Sequence, residues 1–347
     1  MSSSPVTTDV AIIGAGPVGL FAVFECGMVK LRTHVVDALD MLGGQCAALY
    51  PEKPIYDIPG HPQIEAQALI DRLAEQAAPF NPVYHLGQQV MTLARNADGF
   101  LLGTSAGTRI QAKVVIVAAG VGAFGPNRPP LDGIEAYEGI SVHYLVKRRE
   151  DYRGKRIVIA GGGDSAVDWA LSLVEVAAKV MVVHRRPKFR AAPESEARLN
   201  ALAASGRIEL VVPYQLKALD GADGQIARVI VATLDGQEKV LEADVLLPFF
   251  GLSMNLGPIA DWGLALHKGQ IEVTPATCES SEPGIFAIGD VATYPGKLKL
   301  ILSGFAEGAL AAHAARAIVH PGEVFHFEYS TTQGVPGGVR RRAPLHS

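Results

Sequence analysis

A strand, a glycine-rich turn and a helix follow one another twice in this 347-residue chain. This repeat predicts an α/β fold with two Rossmann-like (three-layer ββα) modules. The first repeat runs from the apolar residues 10–13 into a turn at residues 14–19. The second runs from residues 156–160 into a turn at residues 161–166. Both turns join an apolar strand to a helix-compatible segment, which is the context a functional glycine-rich loop requires.

The two modules predict two domains, one inserted into the other. We expect residues 1–121 and 248–347 to form a discontinuous outer domain, with residues 122–247 inserted. Strands that end at small residues are expected at 114–120 and 284–290, where the backbone can approach a ligand or a neighbouring strand closely. Within the insert, the strand candidates are residues 208–212, 227–234 and 239–248.

Composition excludes several classes of function. A net charge of −4 gives no general attraction to nucleic acid or to an anionic membrane. The three cysteines, Cys26, Cys46 and Cys278, are too few for a secreted disulfide framework and show no metal-ligand spacing, so we predict no metal site and a reducing, cytoplasmic location. Glycines and a proline interrupt the apolar residues 10–23, a pattern typical of a strand and turn rather than a signal peptide or membrane span.

The first turn matches the pattern G-x-G-x-x-G and predicts a dinucleotide site. Its glycines allow a tight turn and close approach of the backbone to a pyrophosphate, which the helix N-terminus then faces. The next strand ends in Asp37, whose carboxylate can accept hydrogen bonds from ribose hydroxyls. The alternatives are a glycine-rich turn without a ligand and a solvated acid at a strand end. The predicted contacts are Gly14, Gly16, Pro17, Gly19 and Asp37.

The second turn predicts a different nucleotide. At the same spacing from Gly161 the chain has His184, followed by Arg185 and Arg186. A carboxylate there would repel a 2′-phosphate, whereas guanidinium groups bind one, so we expect NADP(H) in preference to NAD(H). The alternative is a solvated basic loop. The predicted contacts are Gly161, Gly163, Asp164, Ser165, Ala166, His184, Arg185 and Arg186, with Arg190 if the connecting turn folds back.

Several further motifs occur in a familiar order: Gly43-Gly44-Gln45, residues 49–53 and 56–60, and Gly289-Asp290. Together with the two turns and the His184-Arg185-Arg186 run, they resemble the bacterial, thioredoxin-reductase-like (type 2) ferredoxin–NADP⁺ reductases. The resemblance covers nearly the whole chain. It implies FAD in the outer domain, NADP(H) in the inserted one, ferredoxin or flavodoxin as partner, and a homodimer.

Thioredoxin reductases carry a Cys-x-x-Cys pair shortly before the second glycine loop, but residues 139–146 contain no cysteine here. Without a dithiol, electrons cannot leave the flavin by thiol exchange. This favours direct transfer to a one-electron partner. The alternatives are an NADPH-dependent flavin reductase acting on a disulfide, a quinone or iron, and a non-catalytic redox sensor that binds FAD and NADP.

The resemblance also assigns individual flavin contacts. It implies that Gln45 lies near the ring, that Tyr50 stacks on the isoalloxazine and that Asp290 holds the ribityl chain. As alternatives, the aromatic and apolar residues belong to the core, and the polar ones to turns or caps. The other implied contacts are Val90 at the adenine, Phe124 after the strand at 114–120, and Thr331 near the C-terminus.

The resemblance further implies that Tyr329 covers the flavin face opposite Tyr50. No acid or base residue is assigned. Residues 307–312 are interpreted as the start of a helix, either behind the flavin or simply packed through its small residues. An acidic ferredoxin requires a local basic surface. The candidates, which are otherwise solvated charge runs, are Lys147-Arg148-Arg149, Lys297 with Lys299, and Arg340-Arg341-Arg342.

Overall fold

The computed structural model describes residues 4–122, 125–253, 255–323 and 334–335. The chain divides into two compact units, Met1–Ala123 with Met254–Ser347, and Phe124–Ser253. The second unit is thus inserted into the first. None of the helices in the described ranges is both long and apolar enough to cross a lipid bilayer.

The helices and strands are given in chain order. Before the insertion, the first unit contains β1 (Val6–Ile13), α1 (Pro17–Met28), β2 (Thr33–Val36), α2 (Gly44–Leu49), β3 (Pro54–Ile55), β4 (Ile64–Glu65), α3 (Ala66–Ala77), β5 (Val83–His85), β6 (Val90–Asn96), β7 (Gly99–Thr104) and β8 (Arg109–Val117). The second unit contains β9 (Gly125–Pro126), β10 (Arg156–Ala160), α4 (Asp164–Leu173), β11 (Lys179–Val183), α5 (Pro193–Ala204), β12 (Ile208–Val211), β13 (Gln215–Ala222), β14 (Gln225–Ala232), β15 (Glu238–Glu242), β16 (Val245–Pro248) and β17 (Leu252–Ser253). After the insertion, the first unit ends with β18 (Leu266–His267), β19 (Gln270–Glu272), β20 (Ile285–Ala287), β21 (Ala292–Thr293) and α6 (Ile301–Val319).

The main sheet of the first unit has the order β5-β2-β1-β8-β7-β6, and β20 also pairs with β8. Strands β5, β2, β1, β8 and β20 are parallel, whereas β7 is antiparallel to β8. The first half of β8 pairs with β7, and its second half, from Val115 to Val117, pairs with β20. Because the parallel strands end at one edge, the loops that follow Ile13, Val36 and Val117 converge there.

The main sheet is covered on both faces. Val10 and Ile12 belong to a buried cluster with residues of α1 and α6, such as Val23 and Ala311. Ile13 and its neighbours on the other face pack in a second cluster with residues of β7 and of the 3₁₀ helix Gly257–Asp261. Burial of one such side chain contributes about 1.5–3 kcal/mol, against about 0–1 kcal/mol for a surface ion pair. The apolar clusters therefore dominate the stability of this sheet.

The second unit contains a parallel sheet of order β12-β11-β10-β16 and an antiparallel sheet of order β13-β14-β15, while β9 pairs with β17. The expectation of one strand over residues 239–248 is wrong, because β15 and β16 belong to different sheets. Between them the Asp244 carboxylate accepts hydrogen bonds from the backbone N–H (2.8 Å) and the guanidinium (2.7 Å) of Arg156. These bonds fix the point where the chain changes sheets.

The start of the C-terminal helix also differs from the prediction. We expected a helix to begin at residue 307, but α6 begins at Ile301, so Glu307 lies in its second turn. The residue before the helix is Leu300, and no side chain caps the first turn. The helix therefore begins without any of the capping signals by which a start can be recognised in a sequence.

We expect the protein to lose stability in acid because of two histidines, His34 and His85, on adjacent strands. His34 Nδ1 and His85 Nε2 lie 3.0 Å apart and share one hydrogen bond. Burial lowers the pKa of both from the usual 6.5, and His85 and Arg32 further lower the pKa of His34. The folded protein thus binds these protons more weakly than the unfolded chain does. The contribution of these two histidines to stability is therefore complete above about pH 6.5 and is lost as the pH drops below that value.

The expected result is a thermal midpoint that decreases from pH 7.5 to pH 5.5, and less steeply in His85→Gln. His267→Gln replaces an exposed histidine and serves as the control. Scanning calorimetry of the three proteins across this range measures the effect. A pH dependence in His85→Gln as steep as in the parent would contradict it.

Candidate cofactor-binding sites

The first glycine-rich loop lies between the ends of β1 and β8. Gly14 has φ +112°, and a Cβ there would lie 2.3 Å from the Ala118 carbonyl oxygen. A Cβ on Gly19 would lie 2.0 Å from the Gly14 carbonyl oxygen. Both positions require glycine for backbone packing alone, with or without a ligand.

The loop leaves the N-terminus of α1 open. Gly16 is the N-cap, Pro17 opens the helix and no side chain caps its first turn. At Gly16 an added Cβ would have only the Gly44 Cα near it, at 4.0 Å. The Gly43 N–H donates a 2.8 Å hydrogen bond to the Ala15 carbonyl, which brings the Gly43-Gly44 turn beside the loop. Uncapped N–H groups beside an open glycine fit a dinucleotide pyrophosphate.

Asp37 is tied directly to this loop. Its Oδ2 accepts a 2.6 Å hydrogen bond from the Ala15 N–H, and its Oδ1 accepts a 2.8 Å bond from the Leu39 N–H. Burial raises the pKa of Asp37, while the two backbone bonds act in the opposite direction. Each carboxylate oxygen can accept one further hydrogen bond. The geometry therefore suits a carboxylate that is held in place and still binds a ribose.

Three of the predicted flavin contacts occupy one neighbourhood in the first unit. The Gln45 Nε2 lies 3.3 Å from where a Cβ of Gly120 would be. The Tyr50 hydroxyl accepts a weak hydrogen bond from the Cys46 thiol at 3.8 Å. The pKa of Tyr50 is raised, first by burial, then by Cys46, and also by the negative charge of Asp290. Tyr50 is a neutral ring at physiological pH, with the Asp290 charge close enough to act on it.

The remaining predicted flavin contacts are only partly described. Val90 is buried at the start of β6. Gln88, two residues earlier, donates its N–H to the Asp37 carbonyl at 2.9 Å, which links the start of this strand to the end of β2. Phe124, Tyr329 and Thr331 lie outside the described residues.

The second glycine-rich loop follows β10 in the inserted unit. A Cβ on Gly161 would lie 2.7 Å from the Phe249 carbonyl oxygen. Gly163 is the N-cap of α4, whose first turn has no side-chain cap. Ser165 is exposed in that turn and Ala166 is buried beneath it. The Asp164 Oδ1 accepts a 3.0 Å hydrogen bond from the Ala192 N–H.

The segment after β11 folds back onto this loop. The Arg190 N–H donates a 2.6 Å hydrogen bond to the Gly162 carbonyl. The sequence did not decide whether the connecting turn folds back, and the structure shows that it returns to the glycines. The His184 ring lies 5.2 Å from the buried Phe189 ring. Burial lowers the pKa of His184, and the neighbouring arginines lower it further. A neutral imidazole therefore anchors the start of the basic segment.

The arginines of this segment are exposed and unneutralised. Within the part of the chain that the structure describes, Arg185, Arg186 and Arg190 form no ion pair. By contrast, Arg128, Arg156 and Arg228 each pair with a carboxylate in the same unit. Three exposed cations beside an uncapped helix N-terminus fit a phosphate group.

A family model described as pyridine nucleotide-disulphide oxidoreductase matches residues 8–316. The chain belongs to this family. Among its relatives, the "Ferredoxin--NADP reductase" of Paramagnetospirillum magneticum is 68% identical over 95% of this chain and 98% of its own length. The protein of the same name from Rhodospirillum rubrum is 64% identical over 96% and 98%.

The solved structures that match this oxidoreductase include thioredoxin reductases. That of Lactococcus lactis has a TM-score of 0.79 and 25% identity, and covers 90% of this chain and 99% of its own. That of T. acidophilum has the same TM-score at 24% identity, with 90% and 98% coverage. The predicted thioredoxin-reductase-like α/β fold with two Rossmann-like modules is confirmed.

The candidate basic surfaces of the oxidoreductase need a correction. The Lys297 side chain is 5% exposed and pairs with Glu307, so its interpretation as part of a docking surface is wrong. Arg148 and Arg149 pair with Asp151 and Glu150, which offsets the charge of that run. Arg340, Arg341 and Arg342 lie outside the described residues.

Two residues of the oxidoreductase that sequence reasoning did not select are prominent in the structure. A Cβ on Gly162 would lie 2.2 Å from the His184 imidazole, so only glycine at this position leaves room for the ring. Glu307 is buried and accepts a 2.7 Å hydrogen bond from the Gly289 N–H. Gly162 is the middle of three glycines, and Glu307 is the single carboxylate in α6. The glycine triplet and the lone carboxylate are both visible in the sequence. Neither feature shows which residue Gly162 or Glu307 contacts.

Proposed function

We propose that this protein is a ferredoxin–NADP⁺ reductase that transfers electrons between NADPH and ferredoxin, or flavodoxin, through FAD. The observation that carries the proposal is 68% identity, over nearly the full length of both chains, to a protein named ferredoxin–NADP reductase. We assign FAD to the first unit and NADP(H) to the second, in agreement with the different residues beside the two glycine loops.

In the first unit the chain supplies binding and orientation. The uncapped N–H groups at the N-terminus of α1 bind the pyrophosphate. The carboxylate oxygens of Asp37 accept hydrogen bonds from the ribose hydroxyls. Gln45, Tyr50 and Asp290 are assigned to the flavin and its ribityl chain, Val90 to the adenine, and Phe124, Thr331 and Tyr329 to the positions that the resemblance implies. Bound FAD supplies hydride uptake from NADPH and the return of electrons one at a time.

In the second unit the chain selects the nucleotide. Gly161, Gly163, Asp164, Ser165 and Ala166 form the loop and helix turn that face the pyrophosphate. His184, Arg185, Arg186 and Arg190 surround the 2′-phosphate. The guanidinium groups of the three arginines have no carboxylate partner among the described residues. Binding a phosphate there therefore breaks no existing ion pair.

The thiols support direct electron transfer over disulfide exchange. Cys26, Cys46 and Cys278 are all free and buried. Burial raises the pKa of Cys46 to about 11 and that of Cys278 to about 12, and it also raises that of Cys26. The reactive form of a cysteine is the thiolate, which none of these residues forms near neutral pH. The family chemistry of disulfide reduction therefore has no relay in this chain.

Homodimerisation and a cytoplasmic location belong to the same proposal. Free cysteines suit a reducing compartment. The homodimer is carried over from the resemblance to type 2 reductases. Sedimentation equilibrium of the FAD-loaded protein tests it, and a monomer across the micromolar range would contradict it.

The activity is tested with purified protein, ferredoxin and cytochrome c as the terminal acceptor. We expect ferredoxin-dependent reduction of cytochrome c with NADPH, and much slower reduction with NADH. Equal rates with and without ferredoxin would favour a reductase that acts on quinones, iron or small disulfides. A flavin that NADPH fails to bleach under anaerobic conditions would instead support a non-catalytic sensor.

Gly162→Ala is expected to weaken NADP⁺ binding without loss of FAD. The added Cβ displaces His184 and the arginine that follows it. We expect a dissociation constant about tenfold higher, the equivalent of one displaced charged hydrogen bond. Equilibrium titration with NADP⁺ measures it. Gly206→Ala, where an added Cβ meets nothing within 4 Å, is the control for an alanine in place of glycine in the same unit. Equal affinities in the two variants would contradict the prediction.

A further inference from the structure

A buried polar cluster lies between α6 and the turn after β20. Glu307 accepts a 2.7 Å hydrogen bond from the Tyr294 hydroxyl and forms an ion pair with Lys297. The side chains of Glu307 and Lys297 are only 4% and 5% exposed. The second carboxylate oxygen, Oε2, accepts the 2.7 Å hydrogen bond from the Gly289 N–H. One buried carboxylate thus receives three donors.

The charges in this cluster balance. Burial and Glu307 raise the pKa of Tyr294, so the phenol remains a neutral donor. Burial and Glu307 likewise keep Cys278 a neutral thiol by raising its pKa to about 12. Among Glu307, Lys297, Tyr294 and Cys278, the charged side chains are therefore those of the Glu307–Lys297 ion pair. A buried ion pair is often no more stabilising than two apolar residues of the same size, so its effect is better sought in position than in stability.

The backbone group that the cluster holds is the Gly289 N–H. Gly289 has φ +74° and opens the 3₁₀ helix Gly289–Val291, which contains Asp290. Val18 of α1 packs against this turn, since its side chain lies 3.5 Å from where a Cβ of Gly289 would be. The turn is thereby fixed by α1 on one side and by the Glu307 carboxylate of α6 on the other.

We propose that the Glu307–Lys297 pair positions the Gly289-Asp290 turn, so that the Asp290 carboxylate is presented to FAD. Glu307 is the hydrogen-bond acceptor that orients the turn. Lys297 and Tyr294 hold that acceptor in place through the ion pair and the hydroxyl hydrogen bond. This inference rests on the assignment of FAD to the first unit and of Asp290 to the ribityl chain.

Two double variants separate the hydrogen-bond acceptor from the charge. Lys297→Met with Glu307→Gln removes both charges and keeps a side-chain oxygen for the Gly289 N–H. Lys297→Met with Glu307→Leu removes both charges and the acceptor at similar volume. Lys299→Met makes the same substitution at a neighbouring exposed lysine and serves as the control.

The readout is FAD release from the purified holoenzyme, followed as the rise in flavin fluorescence after dilution. We expect release from the glutamine pair within about threefold of the parent, and release from the leucine pair about ten- to one-hundredfold faster, the effect of losing one charged hydrogen bond. The visible circular dichroism of the flavin should change in the leucine pair alone. Thermal midpoints at saturating FAD should be similar in the two pairs.

Equal release rates in the two double variants, whether slow or fast, would overturn the inference, because the acceptor would then have no separate effect. Tyr294→Phe is a milder variant that keeps both charges, and it is expected to release FAD faster than the parent. Unchanged release from Tyr294→Phe would also count against the inference.

A reference variant separates this inference from the proposed function. Asp290→Asn is expected to accelerate FAD release. If it does not, the assignment of Asp290 to FAD fails, and the inference fails with it. If Asp290→Asn accelerates release and the leucine pair does not, the inference alone fails.

Discussion

Replacing Arg185 and Arg186 together by alanine is expected to lower kcat/KM for NADPH by about 10²- to 10³-fold and to leave kcat/KM for NADH nearly unchanged. Each charged hydrogen bond to a phosphate contributes about 1.5–3 kcal/mol. NADH lacks the 2′-phosphate and therefore loses little. The loss should appear mainly in KM, because the 2′-phosphate lies far from the hydride.

Steady-state kinetics with both nucleotides measure this effect. Arg198→Ala removes an exposed arginine from α5 and is the matched control. An equal loss with NADPH and NADH would show that the two arginines act on the fold or on the pyrophosphate. An unchanged preference for NADPH would show that residues other than Arg185 and Arg186 bind the 2′-phosphate.

Gly14→Ala is expected to abolish stable FAD binding and to lower the thermal midpoint by many degrees. The added Cβ would lie 2.3 Å from the Ala118 carbonyl oxygen, and neither backbone segment can move without disturbing the sheet. Overpacking of this kind costs about 1–3 kcal/mol or more, and the left-handed φ adds about 1 kcal/mol. The Asp37 carboxylate, bonded to the next residue of the loop, is displaced as well.

The flavin-to-protein absorbance ratio and the midpoint of the purified variant measure this result. Gly107→Ala is the control, since Gly107 also has a positive φ, +82°, but an added Cβ there meets nothing within 4 Å. It isolates the cost of backbone strain. Retention of FAD by Gly14→Ala would contradict the role of this loop.

Local spacing in the sequence predicts the two glycine loops well. Gly14 and Asp37 are correctly placed at the ends of consecutive parallel strands, because strand, turn and helix lengths leave little freedom between them. The return of Arg190 to the loop was open in the sequence, since a turn of this length can fold in either direction. Its backbone bond to Gly162 accompanies the burial of Phe189, and no local pattern encodes either contact.

Lys297 shows where sequence reasoning fails. A lysine in a short loop is usually solvated, and nothing nearby marks Lys297 as buried. Its partner Glu307 lies in α6, and the prediction placed the start of that helix six residues too late because no capping residue marks Ile301. The predicted helix left out residues 301–306, which connect Lys297 to Glu307, so the ion pair could not be predicted.

The pairing of β20 with β8 has a consequence for biosynthesis. Ile285 pairs with Val115 only after the ribosome has delivered the entire second unit, which is continuous in sequence and can fold first. The main sheet of the first unit therefore stays incomplete until late in translation, and Asp290 emerges later still. Nascent chains that end before residue 285 should expose the edge of β8, where chaperones and proteases would act. With Asp290 assigned to FAD as proposed, flavin loading is expected to be one of the last steps in the maturation of this protein.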